Sequence, residues 1–220
     1  DGAFTPPVDY SKDDPALAAE VAKLPPIIFF TGAPLESGAI PNAVWQSHPR
    51  GDAWGCSIRV RNPDGTVKTI FDEPDSLIFD LTLSFDAKRV LFTMRRHRAP
   101  AWQIFEMNVD GTGLRPLTDT PGAHNASPAY LPSGRIAFVS SREPRHHTVC
   151  QPGPSTLVHV MDADGSNVRR LSSNTLSDFS LGVLNDGRLL YSRWSYVDWN
   201  LTYRQSLWTQ YPDGRQMALW

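Results

Sequence analysis

Cysteine is scarce: Cys56 and Cys150 are the two in 220 residues. That count excludes a disulfide framework, and both a single bridge and two separate thiols fit it. No Cys-x-x-Cys-His haem-attachment motif and no Gly-x-Ser-x-Gly nucleophile elbow is present. Long apolar runs are missing too. The longest, Ile27-Ile28-Phe29-Phe30, is of strand length and far short of a membrane span. Neither sign of charge dominates, with 21 basic and 23 acidic residues and a net charge of −2. No global field therefore draws the chain to nucleic acid or anionic lipid. Its start, Asp1-Gly2-Ala3-Phe4, carries neither an initiator Met nor a signal-peptide pattern, so a processed or truncated product is expected.

What is abundant is turn and strand chemistry: 19 Pro, 10 Phe and 7 Trp. An Asp-Gly pair recurs four times between short strand-like runs, at Asp64-Gly65, Asp110-Gly111, Asp164-Gly165 and Asp213-Gly214. The spacing of roughly 50 residues is the period of an array of small β-units. The units superimpose. In the second, Phe79–Ser84, Arg89–Met94, Trp102–Asn108 and Leu114–Leu117 read as strands. The third gives Ser127–Leu131, Arg135–Val139, Thr156–Met161 and Val168–Leu171, and the fourth Phe179–Leu184, Arg188–Ser192, Gln205–Gln210 and Gln216–Leu219. Two-residue hairpin turns with glycine supplying the positive φ would join them into meanders.

Four-stranded units at this period are propeller blades. The expected fold is all-β, a β-propeller of four-stranded antiparallel blades with four blades visible. An arm or linker at 1–26 precedes the propeller at 27–220, with blades near 27–75, 76–119, 120–173 and 174–220. A helical turn or two is expected at Pro15–Lys23, capped by Asp14. In the first unit Ile28-Phe29-Phe30-Thr31 aligns with second strands, so that unit lacks its first strand. A piece of a larger propeller and an open four-bladed ring both fit.

Few side-chain constellations carry chemistry. His146, His147 and Cys150 are metal-ligand types close together, but nothing nearby completes a set of three or four. Asp162-x-Asp164-Gly165 superficially resembles a calcium loop yet lacks the further oxygen ligands, so turn chemistry is expected. Paired acids such as Asp13-Asp14 and Asp72-Glu73 fall in linkers. Asn125 and Asn200 head glycosylation triplets that matter only in a glycosylating host. Arg96 and Arg142 share a register after the second strand, and Arg193 falls close by. They would meet an anionic ligand or acidic partner, or else pair with acids of their own loops such as Glu143 or Asp198. Trp194, Tyr196, Trp199 and Tyr203 crowd one loop with Arg193 and Arg204. This is the composition of an interface, and equally that of a satellite core. Without a basic patch it is not an RNA-stacking surface.

The stretch Gln103–Thr118, with Asp110-Gly111-Thr112-Gly113 at its centre, resembles the TolB-type propeller repeat, a relative of WD-type blades. Leu131-Pro132-Ser133-Gly134-Arg135-Ile136-Ala137-Phe138, Met161-Asp162-Ala163-Asp164-Gly165-Ser166 and Tyr191-Ser192-Arg193-Trp194 more narrowly resemble the propeller of hydrazine synthase alpha subunits. The resemblance covers residues 76–220, and 27–75 more loosely. It implies an extracytoplasmic location, periplasmic or extracellular. In that family chemistry belongs to haems in other domains, and at the position following Cys150 the usual His is Gln151. The expectation is therefore a non-catalytic scaffold module in a multi-subunit complex, contacting other protein subunits and carrying no cofactor of its own. Candidate contact residues are Arg96, Arg142, Arg193, Trp194, Tyr196, Trp199 and Tyr203. Neither nucleic acid nor a direct membrane span is expected, and anchoring through the arm or a partner stays open. The alternative is the propeller part of a larger redox enzyme with a haem or metal site. A substrate-filtering propeller of a peptidase would need a hydrolase domain that these residues do not offer.

Overall fold

A computed structural model describes residues 19–32, 35–36, 48–49, 54–143, 146–147, 153–195 and 205–220. Apart from a helical turn at 19–21, the regular structure is β. Blade 1 begins with β1 (Ile27–Gly32), followed by a hairpin of β2 (Leu35–Glu36) and β3 (His48–Pro49), then β4 (Cys56–Arg61) and β5 (Val67–Glu73). Blade 2 is β6 (Ser76–Leu83), β7 (Arg89–Arg96), β8 (Gln103–Asn108) and β9 (Arg115–Pro116). Blade 3 is β10 (Asn125–Tyr130) and β11 (Ile136–Ser140), a hairpin of β12 (His146–His147) and β13 (Gly153–Pro154), then β14 (Leu157–Met161) and β15 (Arg169–Arg170). Blade 4 is β16 (Asp178–Val183), β17 (Leu189–Trp194), β18 (Gln205–Gln210) and β19 (Ala218–Leu219).

Blades 2, 3 and 4 are four-stranded antiparallel meanders, and blade 1 is three-stranded in the order β1-β4-β5. Among the described residues, the strand it lacks is the first. Phe29 pairs with Arg59 where Phe92 pairs with Phe105 in blade 2, which places β1 at the second-strand position. The chain is an open β-propeller. Its apolar pattern follows from that stacking: strands with a neighbour on both faces need apolar residues at every position. In β7, Phe92 and Met94 pack toward blade 1 with Cys56, Ile58 and Phe105. Leu91, in between, packs toward blade 3 with Ile104, Tyr130, Ile136 and Phe138. All are buried, and each aliphatic or aromatic side chain contributes about 1.5–3 kcal/mol.

Local details differ from the sequence expectation in three ways. The Asp-Gly turns are three-residue loops, with the Asn62 N–H bonded to Thr66 O and the Gly65 N–H to Asn62 O. A type I turn followed by a left-handed glycine has that pattern, and Gly65 sits at φ 85°. The fourth strands of blades 2, 3 and 4 are only two residues long, whereas that of blade 1, β5, runs for seven. Pro116 is tolerated in such an outer edge strand. Finally, the first strand of each complete blade is bulged, at Ile78/Asp80, Ala126/Ala129 and Phe179/Gly182. Ser127 and Ser180 take positive φ at those bulges. Asp80 caps two of them at once, accepting the Thr93 N–H at 2.9 Å and the Ser127 N–H of the next blade at 2.7 Å. Burial raises its carboxyl above the usual range, against the pull of those bonds.

The Asp-Gly turns also join the blades. A Cβ on Gly111 would collide with the Ile70 carbonyl of blade 1, and one on Gly165 with the Leu117 carbonyl of blade 2. Glycine is thus required twice at each position, for its φ and for the close approach. Beside the second joint, Glu106 is buried and accepts from Arg89 at 3.2 Å, Arg115 at 2.6 Å and the Tyr130 hydroxyl of blade 3 at 2.9 Å. Burial, then Glu106, pushes the Tyr130 phenol well above its ordinary range.

Candidate functional site

Antiparallel meanders put the tight turns within each blade at one end of the propeller, while the Pro74-Asp75 turn between blades 1 and 2 lies at the other. The longer β1–β4, β7–β8, β11–β14 and β17–β18 connections lie at that other end. Of the arginines and aromatics singled out from the sequence, Arg96, Arg142, Arg193 and Trp194 are described, and they belong to this loop end or to the end of the strand before it.

Arg193 is buried, and its Nε and Nη2 donate to the two oxygens of Asp178 at 2.8 and 3.0 Å. Burial works against its charge, but the Asp178 carboxylate outweighs it and holds Arg193 above the ordinary guanidinium range. Its acid thus comes from the first strand of its own blade. Trp194 is 2% exposed and packs with Leu176 and Phe179 in a satellite core. Arg142 donates to Ser140 Oγ at 3.0 Å and Asn125 Oδ1 at 3.0 Å, and its guanidinium lies 5.2 Å from the centre of the Phe138 ring. Glu143 pairs with Arg170 at 3.3 Å. Arg96 is exposed, and its guanidinium lies 5.1 Å from the Phe105 ring. Tyr196, Trp199 and Tyr203 lie outside the described residues. The side chains of His146 and His147, and all of Cys150, do so as well.

Three residues missed at the sequence level complete this region. Arg95, beside Arg96, lies between two indoles, 5.5 Å from the Trp54 ring and 5.1 Å from Trp102. Trp54 in turn packs on His97 at 4.7 Å. Burial depresses the Arg95 guanidinium below its usual range, and its buried Nε has no partner among the described residues. Next to it, Met94, Arg96, Ala101, Phe105, Pro116 and Asp119 line a groove of about 190 Å³. Its floor is apolar, and a cation and a carboxylate stand at its rim. A signal was present: Arg95-Arg96-His97-Arg98 is a basic run with no acid between Asp86 and Glu106.

Register explains why blade 2 differs. The residue opposite the penultimate stretch of the second strand is Asp178 in blade 4, Asn125 in blade 3 and Ile78 in blade 2. Asp and Asn satisfy the arginines near them, and Ile offers no acceptor.

Other candidate chemistry finds structural uses. Asp162 accepts from Arg135 and Asn167, and Asp164 from the Ser166 N–H, as a turn requires. Among the described residues no group of three or more His, Cys, Asp and Glu could hold a metal ion. Cys56 is a buried free thiol, pushed up to about 12 by burial and then by Glu73 and Asp72, which makes it a poor nucleophile. Asn125 is fully buried and bonded to Ser140 and Gln103, so its side chain is closed to glycosylation. No helix among the described residues is long and apolar enough to cross a membrane.

No family model matches the chain. In sequence it is 29% identical over 109 residues to hydrazine synthase subunit alpha of Kuenenia stuttgartiensis, covering 50% of this chain and 13% of that protein. The solved structure of Kuenenia stuttgartiensis hydrazine synthase superimposes with a TM-score of 0.69 at 18% identity, over 92% of this chain and 33% of that one. TolB from Acinetobacter baumannii superimposes with a TM-score of 0.57 at 16% identity, over 75% of this chain and 37% of that one. The chain thus shares the β-propeller fold of these two proteins, and it spans only a small part of the length of the hydrazine synthase subunit it matches.

Proposed function

We propose that the chain is a non-catalytic scaffold module of an extracytoplasmic complex, docking other protein subunits through the loop end of its propeller. The single observation that carries this is the asymmetry of the two ends. At the turn end each Asp-Gly unit is closed on itself or on the neighbouring blade. At the loop end, Arg96, His97 and Arg98 are exposed beside an apolar groove. Arginine and aromatics beside an apolar depression are the makings of an interface centre. The groove is too small for a typical substrate or cofactor, whose pockets run from about 300 Å³. Location outside the cytoplasm rests on the likeness to the TolB and hydrazine synthase propellers.

The test is photo-crosslinking in an extract of the source cells. A crosslinking residue at the exposed Pro100, on the loop end, is expected to give one discrete protein adduct, and one at Arg215, on the turn end, none. Adducts at neither position, or equally at both, would refute docking through this face.

A second reading, the propeller part of a larger redox enzyme, is favoured by the sequence match to hydrazine synthase subunit alpha. Its mark would be a haem or metal absorption spectrum that stays with the chain in its native assembly.

A further inference from the structure

We infer that the β7–β8 loop binds an acidic segment of a partner protein, its carboxylates on Arg96 and Arg98 and one apolar side chain in the adjoining groove. This deepens the loop-end docking reading and rests on it.

The inference starts from where positive charge is left uncompensated. Among the described residues, arginine after arginine is spoken for. Arg89 and Arg115 hold Glu106, Arg135 holds Asp162, Arg170 holds Glu143, Arg188 holds Asp186, Arg193 holds Asp178 and Arg215 holds Asp213. Arg59, Arg61, Arg142 and Arg169 donate to hydroxyl or carbonyl oxygens. Arg95, Arg96 and Arg98 alone have neither an ion pair nor a hydrogen bond among those residues, and all three belong to one tetrapeptide. Arg98 is even held in a left-handed conformation, at φ 64°, which a β-carbon-bearing residue adopts only against a cost.

Geometry selects the class of anion. Arg95 is stacked on Trp54 and Trp102 with its Nε buried, so it adds positive charge behind the loop. The exposed guanidiniums of Arg96 and Arg98 are the ones a carboxylate can reach. Arg96 lies over Phe105 in the same manner and stands at the groove rim. At about 190 Å³ the groove suits one side chain rather than a free ligand. Acids stand at both ends: Asp64, Asp86, Asp110, Asp164, Asp186 and Asp213 in the tight turns, and Asp75 and Asp119 at the loop end. Direction therefore comes from the local run Arg95-Arg96-His97-Arg98 and not from the field of the whole molecule.

The test uses the full chain and a fluorescein-labelled peptide, Gly-Glu-Glu-Phe-Glu-Gly, followed by polarisation at low and at physiological salt. Two twin peptides replace each Glu with Gln, or the Phe with Ser. Saturable binding is expected, weakened at least tenfold by Gln and severalfold by Ser, with a change in tryptophan emission from Trp54 and Trp102. Arg96→Gln with Arg98→Gln, both exposed, leaves the fold intact and should weaken binding at least tenfold. Arg215→Gln, at the turn end, should leave it unchanged. No binding of the acidic peptide, equal binding of its Gln twin, or binding unaffected by the double substitution would overturn the inference. Such a failure together with a Pro100 adduct would leave loop-end docking standing and remove only the acidic chemistry.

Discussion

The two ends of the propeller solve opposite problems. At the turn end, the same few residues close every hairpin, and the glycines seat each blade on its neighbour. The turn aspartates are held below the usual carboxylate range by hydrogen bonds from the residue two positions on, as Asp64 is by Thr66 and Asp110 by Thr112. At the loop end no two blades are alike. An arginine is buried on an aspartate in blade 4, shared among amide and hydroxyl oxygens in blade 3, and stacked on indoles without an acid in blade 2. Repetition marks what every blade needs in order to stack. Variation marks what stacking leaves free.

The sharpest way to break this contrast lies with the buried pair. Arg193→Ala leaves Asp178, at 0% exposure, without its cation. Stability should fall by about 3–5 kcal/mol in urea melts. Arg215→Ala, whose pair is fully exposed, should leave the melt nearly unchanged. Similar losses at both sites would mean that the loop-end pair is no more structural than a surface one.

Next comes a test within the turn end itself. Gly165 and Gly65 share φ values of 90° and 85°, so alanine at either pays about 1 kcal/mol for its conformation. Gly165→Ala must also push back the Leu117 carbonyl, whereas nothing lies within 4 Å of a Cβ at Gly65. Thermal melts should show Gly165→Ala as the worse by about 2 kcal/mol or more. Equal shifts would deny the turn its role as an inter-blade joint.

The smallest effect is one of pH. His159 stands in blade 3 where Phe105 and Trp208 stand in blades 2 and 4, packed on Phe138 with 1% exposure. Its Nδ1–H donates to Leu157 O at 2.9 Å, while burial lowers its pKa from 6.5 to about 4. Between those values the unfolded chain takes up the proton first. The contribution of neutral His159 is therefore complete above pH 6.5 and is lost as pH falls toward 4. That amounts to at most about 3 kcal/mol. His159→Phe, the residue found in blade 2, should flatten stability across this window and change it by less than about 1 kcal/mol at pH 7. An unchanged pH slope would show that His159 is not the group responsible.

How far the sequence could be read follows the same division. The Asp-Gly turns, the Phe92, Phe138 and Tyr191 register and the incomplete first blade were legible because each rests on residues close along the chain. The bulges at Asp80, Ser127 and Ser180 were not, since their hydrogen bonds come from the next strand and the next blade. Arg96 and Arg142 share a register in the sequence and Arg193 falls close by, yet of the three only Arg96 stays exposed and without an ion pair or hydrogen bond among the described residues. Trp194 looked like its loop neighbours and belongs to a satellite core. Arg95 and Arg98 were overlooked for want of a rule saying which arginines find an acid.

Short-range hydrogen bonding and the φ demands of tight turns thus specified the blades, their number and their order from the sequence by itself. The tertiary structure alone decided which charges are cancelled and which remain available. Charge compensation depends on partners brought together by strand register: Asp178 faces Arg193 in blade 4, whereas in blade 2 Ile78 faces Met94 and offers the nearby arginines no acceptor.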